Sequence, residues 1–171
     1  MFTSAYNFHA VRTIAPEYLT TNSYDFLVTV SDSPREKFQN EIEKRTGFSA
    51  RIVMVETNVL TLKTGHSVAT KLKVSAGPFN QPAPGNSPQL LRFPYHTIPD
   101  LIPWLQSSFD LPVVDQTGLT NRYDIVLDCQ WHPTDREINR NILKSALSGQ
   151  LGLELVPSHE PIEMLVVEKV K

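Results

Sequence analysis

An internal repeat is the feature of this 171-residue sequence that most constrains its fold. Residues 19–28 read LTTNSYDFLV, and residues 119–127 read LTNRYDIVL. The two copies stay in step beyond this segment, since Tyr24 and Tyr123 are 99 residues apart and Gly47 and Gly152 are 105 apart. The second copy therefore gains residues in a loop and in a helix, while its last strands keep their length. This spacing predicts two copies of one structural unit.

Each copy is predicted to fold as strand, helix, strand, strand. A segment rich in β-branched and aromatic residues follows each Tyr-Asp pair, as in a strand. A capping box begins each helix, at Ser33 and at Thr134, and a glycine ends it. Amphipathic helices combined with hairpins predict an α+β fold with antiparallel or mixed sheets and helices packed on one face. The predicted elements are strands at 24–30 and 123–129, helices at 34–46 and 135–148, and hairpins formed by 51–56 with 59–63 and by 153–156 with 162–169.

The helices are predicted to bury one apolar face each. In the first helix, Phe38 and Ile42 are four residues apart and share a face. In the second helix the predicted apolar face is formed by Ile138, Ile142, Ala146 and Leu147. We expect these side chains to pack on the sheet of their own repeat.

The sequence predicts two repeat domains joined by a connector. The predicted boundaries are 1–76 for the first repeat, 77–89 for the connector and 90–171 for the second repeat. Seven of the thirteen prolines lie between Gly77 and Trp104, so the connector is predicted to be an exposed loop. The second repeat begins with an added strand at 90–93 that the first repeat lacks. A helix after Thr97, which Pro103 is expected to shorten or kink, and a strand at 111–114 follow.

Composition excludes several classes of function. Sixteen Lys and Arg against eighteen Asp and Glu give a formal net charge of −2, so no basic field attracts nucleic acid or anionic lipid. A single Cys excludes an internal disulfide framework and a Cys-rich zinc site. No apolar run reaches the roughly 18 residues of a membrane span, and residues 1–8 lack the pattern of a signal peptide. The seven glycines are scattered, so no phosphate-binding loop is predicted.

One segment superficially resembles a protease motif. The residues Asp115, Thr117 and Gly118 lie in the order of an aspartic-protease Asp-Thr-Gly, but Gln116 separates the first two. Such proteases also need two carboxylates that share one proton. We therefore interpret the segment as a turn in which Asp115 accepts backbone N–H groups and Gly118 supplies a positive φ.

The repeated Tyr-Asp pairs are the second candidate site. Tyr24 and Asp25 correspond to Tyr123 and Asp124, so packed repeats would bring two carboxylates together. In the alternative interpretation, each Asp begins a strand and binds its preceding turn, while each Tyr packs with its hydroxyl in water. We favour the second interpretation.

The remaining polar candidates are isolated in the sequence. No two of the five histidines have the spacing of a metal motif, although His132 lies near Asp135 and Glu137 at a predicted helix start. Acidic residues in a first helical turn are expected from the helix dipole alone. Cys129 lies in or after a strand without a partner, as a buried Cys usually does. The sequence thus predicts no catalytic residue, no cofactor and no metal site.

Residues 112–124 carry a family resemblance. They read PVVDQTGLTNRYD, which resembles the signature Pro-Val-Val-Asp-x-Thr-Gly-Leu-Thr-x-Arg-Tyr-Asp of a large bacterial family of exported proteins of unknown function, labelled Soli-type. The segments QLGLEL at 150–155 and PIEMLVVE at 161–168 resemble the family's C-terminal end, and Pro16 to Leu19 resemble a motif of its first half. The chain departs from the family in having no signal peptide or leading strand, and in the position of Trp131.

The resemblance implies an exported, periplasmic or extracellular location and a repeated α+β structure, but it implies no catalytic residue. The missing signal-peptide pattern leaves a cytoplasmic location as the alternative. Some relatives look like proteins in which this domain is fused to an antirepressor-type membrane metallopeptidase, and this implies a role in sensing or periplasmic binding. With no site chemistry in the sequence, we expect a non-enzymatic binding or interaction module for a protein or cell-envelope ligand, without nucleic acid or membrane insertion. The alternative is a hydrolase with a site between the repeats. Its candidate residues are Asp25, Asp115, Asp124 and His132.

Overall fold

The fold combines helices with mixed sheets, so the predicted α+β class is confirmed. A computed structural model describes residues 1–19, 29, 33–65, 71–77 and 89–170. Within these residues, no helix is both long and apolar enough to cross a membrane. The helices are α1 (Phe2–Tyr6), α2 (Pro34–Thr46), α3 (Ile98–Phe109) and α4 (Arg136–Ala146), with 3₁₀ turns at Ala10–Arg12 and Glu17–Leu19. The strands are β1 (Thr13–Ile14), β2 (Phe48–Thr64), β3 (Leu90–His96), β4 (Val113–Asp115), β5 (Tyr123–Asp128) and β6 (Leu153–Lys169).

The described strands form two sheets. The larger sheet has the order β1-β6-β2-β4. Its outer strands are short and parallel to their neighbours: Thr13 of β1 pairs with Leu165, and Val113 of β4 pairs with Leu60. The smaller sheet is the antiparallel pair of β3 and β5.

The chain divides into two compact units, each with its own core. Unit 1 comprises residues 1–58 and 159–171, and unit 2 comprises residues 59–158. The core of unit 1 contains the buried residues Phe2, Ala5, Ile42, Phe48, Leu165 and Val167. The larger core of unit 2 is built mainly from α3, α4, β5 and the last residues of β2. Both boundaries between the units therefore fall inside strands, within β2 and within β6.

The predicted hairpins at the end of each repeat are wrong. Residues 48–64 form the single strand β2 and residues 153–169 the single strand β6, each 17 residues long. A two-residue hairpin loop at Thr57 and Asn58 would need a left-handed residue, and neither has a positive φ. The two strands are neighbours in the larger sheet, so each finds its partner elsewhere in the chain.

The helix boundaries agree with the sequence better than the caps do. The helix α2 begins at Pro34 and ends at Gly47, and Gly152 follows the π-helical turn Leu147–Leu151, with φ near 70° at both glycines. Ser33, however, has a φ of 45° and its side chain makes no capping bond. In α4 the cap is Asp135, whose side chain accepts the N–H of Ile138, rather than the predicted Thr134. A carboxylate accepts a backbone N–H in a first turn more strongly than a hydroxyl does.

The apolar faces of the helices are only partly as predicted. Ile42 is buried and Phe38 packs against the core of unit 1, as expected. In α4 and the π-helical turn after it, Ala146 and Leu147 are buried and Ile142 packs against the core of unit 2, as predicted. Ile138 is instead 43% exposed, and Leu143, which was not predicted, is 1% exposed. The helix α3 begins at the capping box of Thr97 and Asp100 and continues past Pro103 to Phe109, so that proline does not shorten it.

The repeat and the predicted domain boundaries stay predictions. Most of the predicted strand 24–30 and most of the connector 77–89 lie outside the described residues. The parallel strand pairs support a repeat, because Val113 follows Thr13 by 100 residues, and their partners Leu165 and Leu60 are 105 residues apart. These separations match the offsets in the sequence.

Candidate functional site

A β-bulge in unit 2 forms the centre of the candidate site. In the ladder between β3 and β5, Phe93 pairs with Ile125, and the next pair is His96 with Tyr123. Three steps on β3 thus face two steps on β5, which leaves an extra residue in β3. Tyr95, inside this bulge, has a φ of 57°, which is rare for a residue other than glycine. Such a conformation persists only where its surroundings enforce it.

Two side chains at the start of β5 enforce the conformation of Tyr95. The carboxylate oxygen Oδ1 of Asp124 accepts the backbone N–H of Tyr95 at 3.1 Å. The Nη1 of Arg122 donates to the carbonyl of Tyr95 at 3.1 Å, and its guanidinium carbon lies 4.7 Å from the centroid of the Tyr95 ring. We call this arrangement of Tyr95, Arg122 and Asp124 the Tyr95 clamp.

The start of α3 supports the clamp from the side. Asp100 accepts the backbone N–H and the hydroxyl of Thr97, both at 2.8 Å. These bonds hold the pKa of the Asp100 carboxyl below its ordinary value, with a smaller contribution from the charge of Arg122. The Nη1 of Arg122 lies 3.8 Å from Oδ2 of Asp100, so a charged carboxylate helps to orient the guanidinium. Both groups are about half exposed, which makes this a positioning contact rather than a strong source of stability.

Three aromatic side chains of β3 and α3 contact one another, and two of them, Phe93 and Trp104, also pack against the core of unit 2. The ring of Phe93 is 5.1 Å from that of Trp104 and 5.9 Å from that of His96, measured between centroids. All three residues, like Tyr95, are only partly buried. We refer to Phe93, Tyr95, His96 and Trp104, together with Arg122, as the aromatic surface. Of these side chains, tryptophan, tyrosine and arginine are the types enriched among residues that dominate binding energy at interfaces.

The predicted turn at 115–118 is present. Oδ1 of Asp115 accepts the N–H of Thr117 at 2.9 Å and its hydroxyl at 2.7 Å. The hydroxyl oxygen of Thr117 in turn accepts the N–H of Leu119 at 3.2 Å, and Gly118 has a φ of 68°. The carboxylate of Asp115 therefore stabilises this turn.

The repeated Tyr-Asp pairs are visible in one copy only, because Tyr24 and Asp25 lie outside the described residues. Tyr123 is 4% exposed and packs in the core of unit 2. Asp124 binds the backbone of Tyr95 on the neighbouring strand, because the bulge turns this N–H toward β5. The predicted bond of Asp124 to its own preceding turn stays a prediction.

His132 has a structural role at the start of α4. The ring nitrogen Nδ1 of His132 accepts the backbone N–H of Asp135 at 3.0 Å, and the backbone N–H of His132 donates to Oδ1 of Asn139 at 2.7 Å. Among the residues that the structure describes, no three side chains of His, Cys, Asp or Glu come close enough together to hold a metal ion.

The Cys129 thiol is expected to be unreactive in the folded protein. It is fully buried, and burial followed by the nearby charge of Asp128 raises its pKa to about 11. At pH 8 only about one thiol in a thousand would be the reactive thiolate. We expect no reaction with a thiol reagent such as dithionitrobenzoate in native buffer, and one equivalent in guanidinium chloride. Rapid labelling of the native protein would contradict the burial of this residue.

Comparison with known proteins places the chain in a family. The family described as protein of unknown function DUF3738 matches residues 1–170, nearly the whole chain. The chain belongs to the DUF3738 family. No curated protein and no solved structure matches it. The DUF3738 match spans both units, and it agrees with the unknown-function character that the resemblance implied.

The sequence indicated only part of the candidate site in this DUF3738 protein. Asp124 and Tyr123 stood in the predicted motif, but Tyr95 and Trp104 were not singled out. One signal was available, because Pro94 lies inside a strand and cannot donate to the ladder. A proline in a paired strand indicates a bulge, and the residue beside it is then a candidate for an unusual conformation.

Proposed function

We propose that this chain is a non-enzymatic, extracytoplasmic binding or interaction module that binds a protein or a cell-envelope component at the aromatic surface. The observation that carries the proposal is the left-handed conformation of Tyr95, fixed by Arg122 and Asp124. Backbone strain of this kind costs about 1–3 kcal/mol and occurs mainly at functional sites. A partly buried tyrosine held at this cost is expected to serve binding rather than stability.

The composition of the surface supports binding by a rigid, preorganised patch. Tyrosine and tryptophan offer a large contact area and have few rotatable bonds, so they lose little entropy on binding. The carbonyl bond and the ring contact of Arg122 fix its guanidinium before any ligand arrives. Preorganised groups bind more tightly because less conformational freedom is lost in the complex.

The described candidate residues of the hydrolase alternative have structural hydrogen bonds. The carboxylates of Asp115 and Asp124 and Nδ1 of His132 all accept backbone N–H groups. A general base needs its lone pair directed at a water or substrate. No observation favours the hydrolase alternative, so we do not propose it.

The cellular setting of the proposal comes from the family resemblance. The signature at 112–124 resembles that of exported bacterial proteins, which supports a periplasmic or extracellular location and a part in sensing. Two residues of this signature, Arg122 and Asp124, form the Tyr95 clamp. The proposal therefore connects the most distinctive segment of the sequence with the aromatic surface.

The variant Tyr95→Gly tests the proposal, because it separates binding from stability. Glycine adopts a positive φ without strain, so we expect the melting temperature to stay unchanged or to rise. Loss of the ring should weaken binding by about tenfold or more, as expected for a central aromatic contact. The probes are a phage-displayed random peptide library, for a protein ligand, and purified bacterial peptidoglycan, for an envelope ligand.

Asn141→Ala, an exposed change on α4, is the matched control and should bind like the parent protein. Arg122→Lys should also bind the probe more weakly. A planar guanidinium can stack on the Tyr95 ring and donate to the Tyr95 carbonyl at the same time, and an ammonium group cannot. The proposal is overturned if neither probe binds, or if Tyr95→Gly binds its probe as tightly as Asn141→Ala does.

A further inference from the structure

In unit 1, the strand β2 has a long stretch without burial. None of its residues from Ser49 to Asn58 is buried. On the side away from β6, its partner β4 pairs only with Leu60, Thr61 and Leu62. Among the residues that the structure describes, no strand pairs with this side of β2 at 48–58. We call residues 49–58 the free edge.

The free edge lacks the features that usually protect an edge strand. It contains no proline, no glycine and no lysine, and its only charged residues are Arg51 and Glu56. Ile52 is 50% exposed and Met54 is 62% exposed, and their spacing of two residues places them on one face. An exposed, apolar edge of this length is a template for pairing with another strand.

We propose that the free edge pairs antiparallel with the same edge of a second copy of this chain, about a two-fold axis at Val53. The axis is perpendicular to the sheet, because only this symmetry brings two identical edges side by side in antiparallel orientation. A second copy would pair, in both molecules at once, the backbone groups of β2 that no described strand pairs on this side. The two-fold symmetry also makes the interface closed, so pairing stops at a dimer.

The side chains of the free edge favour this register. With Val53 on the axis, Ile52 lies opposite Met54 of the second copy, and this apolar pair occurs twice on the exposed face. Arg51 lies opposite Val55, and Glu56 lies opposite Ala50, so neither charge meets its own copy. The formal net charge of −2 also opposes association only weakly.

Cysteine cross-linking at the axis tests both the dimer and its register. In Val53→Cys the two new thiols would be directly opposite, with Cα atoms about 4.5–5.5 Å apart, a separation that a disulfide can bridge. The native Cys129 is buried and does not compete. We expect mild oxidation to give at least about a tenfold excess of covalent dimer over the control Val170→Cys, whose parent side chain is 45% exposed.

Light scattering on the uncross-linked protein supplies the second measurement. The parent chain should have the mass of a dimer, and Met54→Lys should shift it to a monomer because each ammonium group would lie opposite Ile52 of the second copy and replace the apolar pair. Val170→Lys should remain a dimer, and circular dichroism should show that all variants are folded. A monomeric parent chain, or cross-linking of Val53→Cys no greater than that of Val170→Cys, would overturn the proposal.

Discussion

Replacing Leu143 with alanine is expected to lower the free energy of unfolding by about 2–5 kcal/mol, whereas Ile138→Ala should change it by less than about 0.5 kcal/mol. Leu143 is 1% exposed in the core of unit 2, so its truncation leaves a cavity. Ile138 is 43% exposed on the same helix and already contacts water. Urea unfolding followed by tryptophan fluorescence is the appropriate measurement, because both tryptophans, Trp104 and Trp131, pack against this core.

The pair of variants also tests the orientation of α4. The sequence pattern alone places Ile138 on the buried face. It therefore predicts that Ile138→Ala and Leu143→Ala lower the free energy of unfolding by similar amounts. Equal losses for the two variants would therefore contradict the helix orientation in the structure.

Leu165→Ala is expected to have an effect of the same size, about 2–5 kcal/mol, on unit 1. Leu165 is fully buried in the strand β6 and packs in the same core as Phe2 and Ile42. Far-ultraviolet circular dichroism during urea unfolding is suitable here, because unit 1 contains neither tryptophan. Val170→Ala is the aliphatic control and should be nearly neutral, since Val170 is 45% exposed. If both variants lost the same small amount of stability, β6 would not complete the core of unit 1.

Local signals in the sequence predicted local structure well. Pro34 and Gly47 bound α2 because proline fits a first helical turn and glycine accepts a left-handed backbone at the end. The turn at Asp115 was predictable for the same reason, because all its hydrogen bonds lie within five residues. Such features depend on neighbours in the chain, which a sequence displays directly.

Pairing between distant segments was not predictable in the same way. Residues 51–63 have the pattern of two strands, and the pattern does not say whether the second strand folds back on the first or continues it. The burial of Leu143 instead of Ile138 has the same cause, because the neighbours of α4 decide which face is covered.

The Tyr95 clamp is the clearest example of a contact that the sequence does not predict. Arg122 and Asp124 bind the backbone of Tyr95, which lies 27 to 29 positions earlier in the chain. Pro94 indicates a bulge, but nothing in the sequence near Tyr95 identifies Arg122 and Asp124 as its partners. It arises from the register of β3 against β5, in which a single extra residue changes the neighbours of each side chain.

Unit 1 is built from both ends of the chain, and this affects how the protein folds during its synthesis. Thr13 pairs with Leu165, so the sheet that covers α1 and α2 needs a strand made 152 residues later. Contacts so far apart in sequence form slowly, because a long loop must close before they stabilise anything. While the ribosome is still translating the middle of the chain, the apolar residues of the first 58 remain without the strand that would cover them. We therefore expect this nascent segment to be prone to aggregation until β6 is made, so that chaperone supply should affect the yield of the protein.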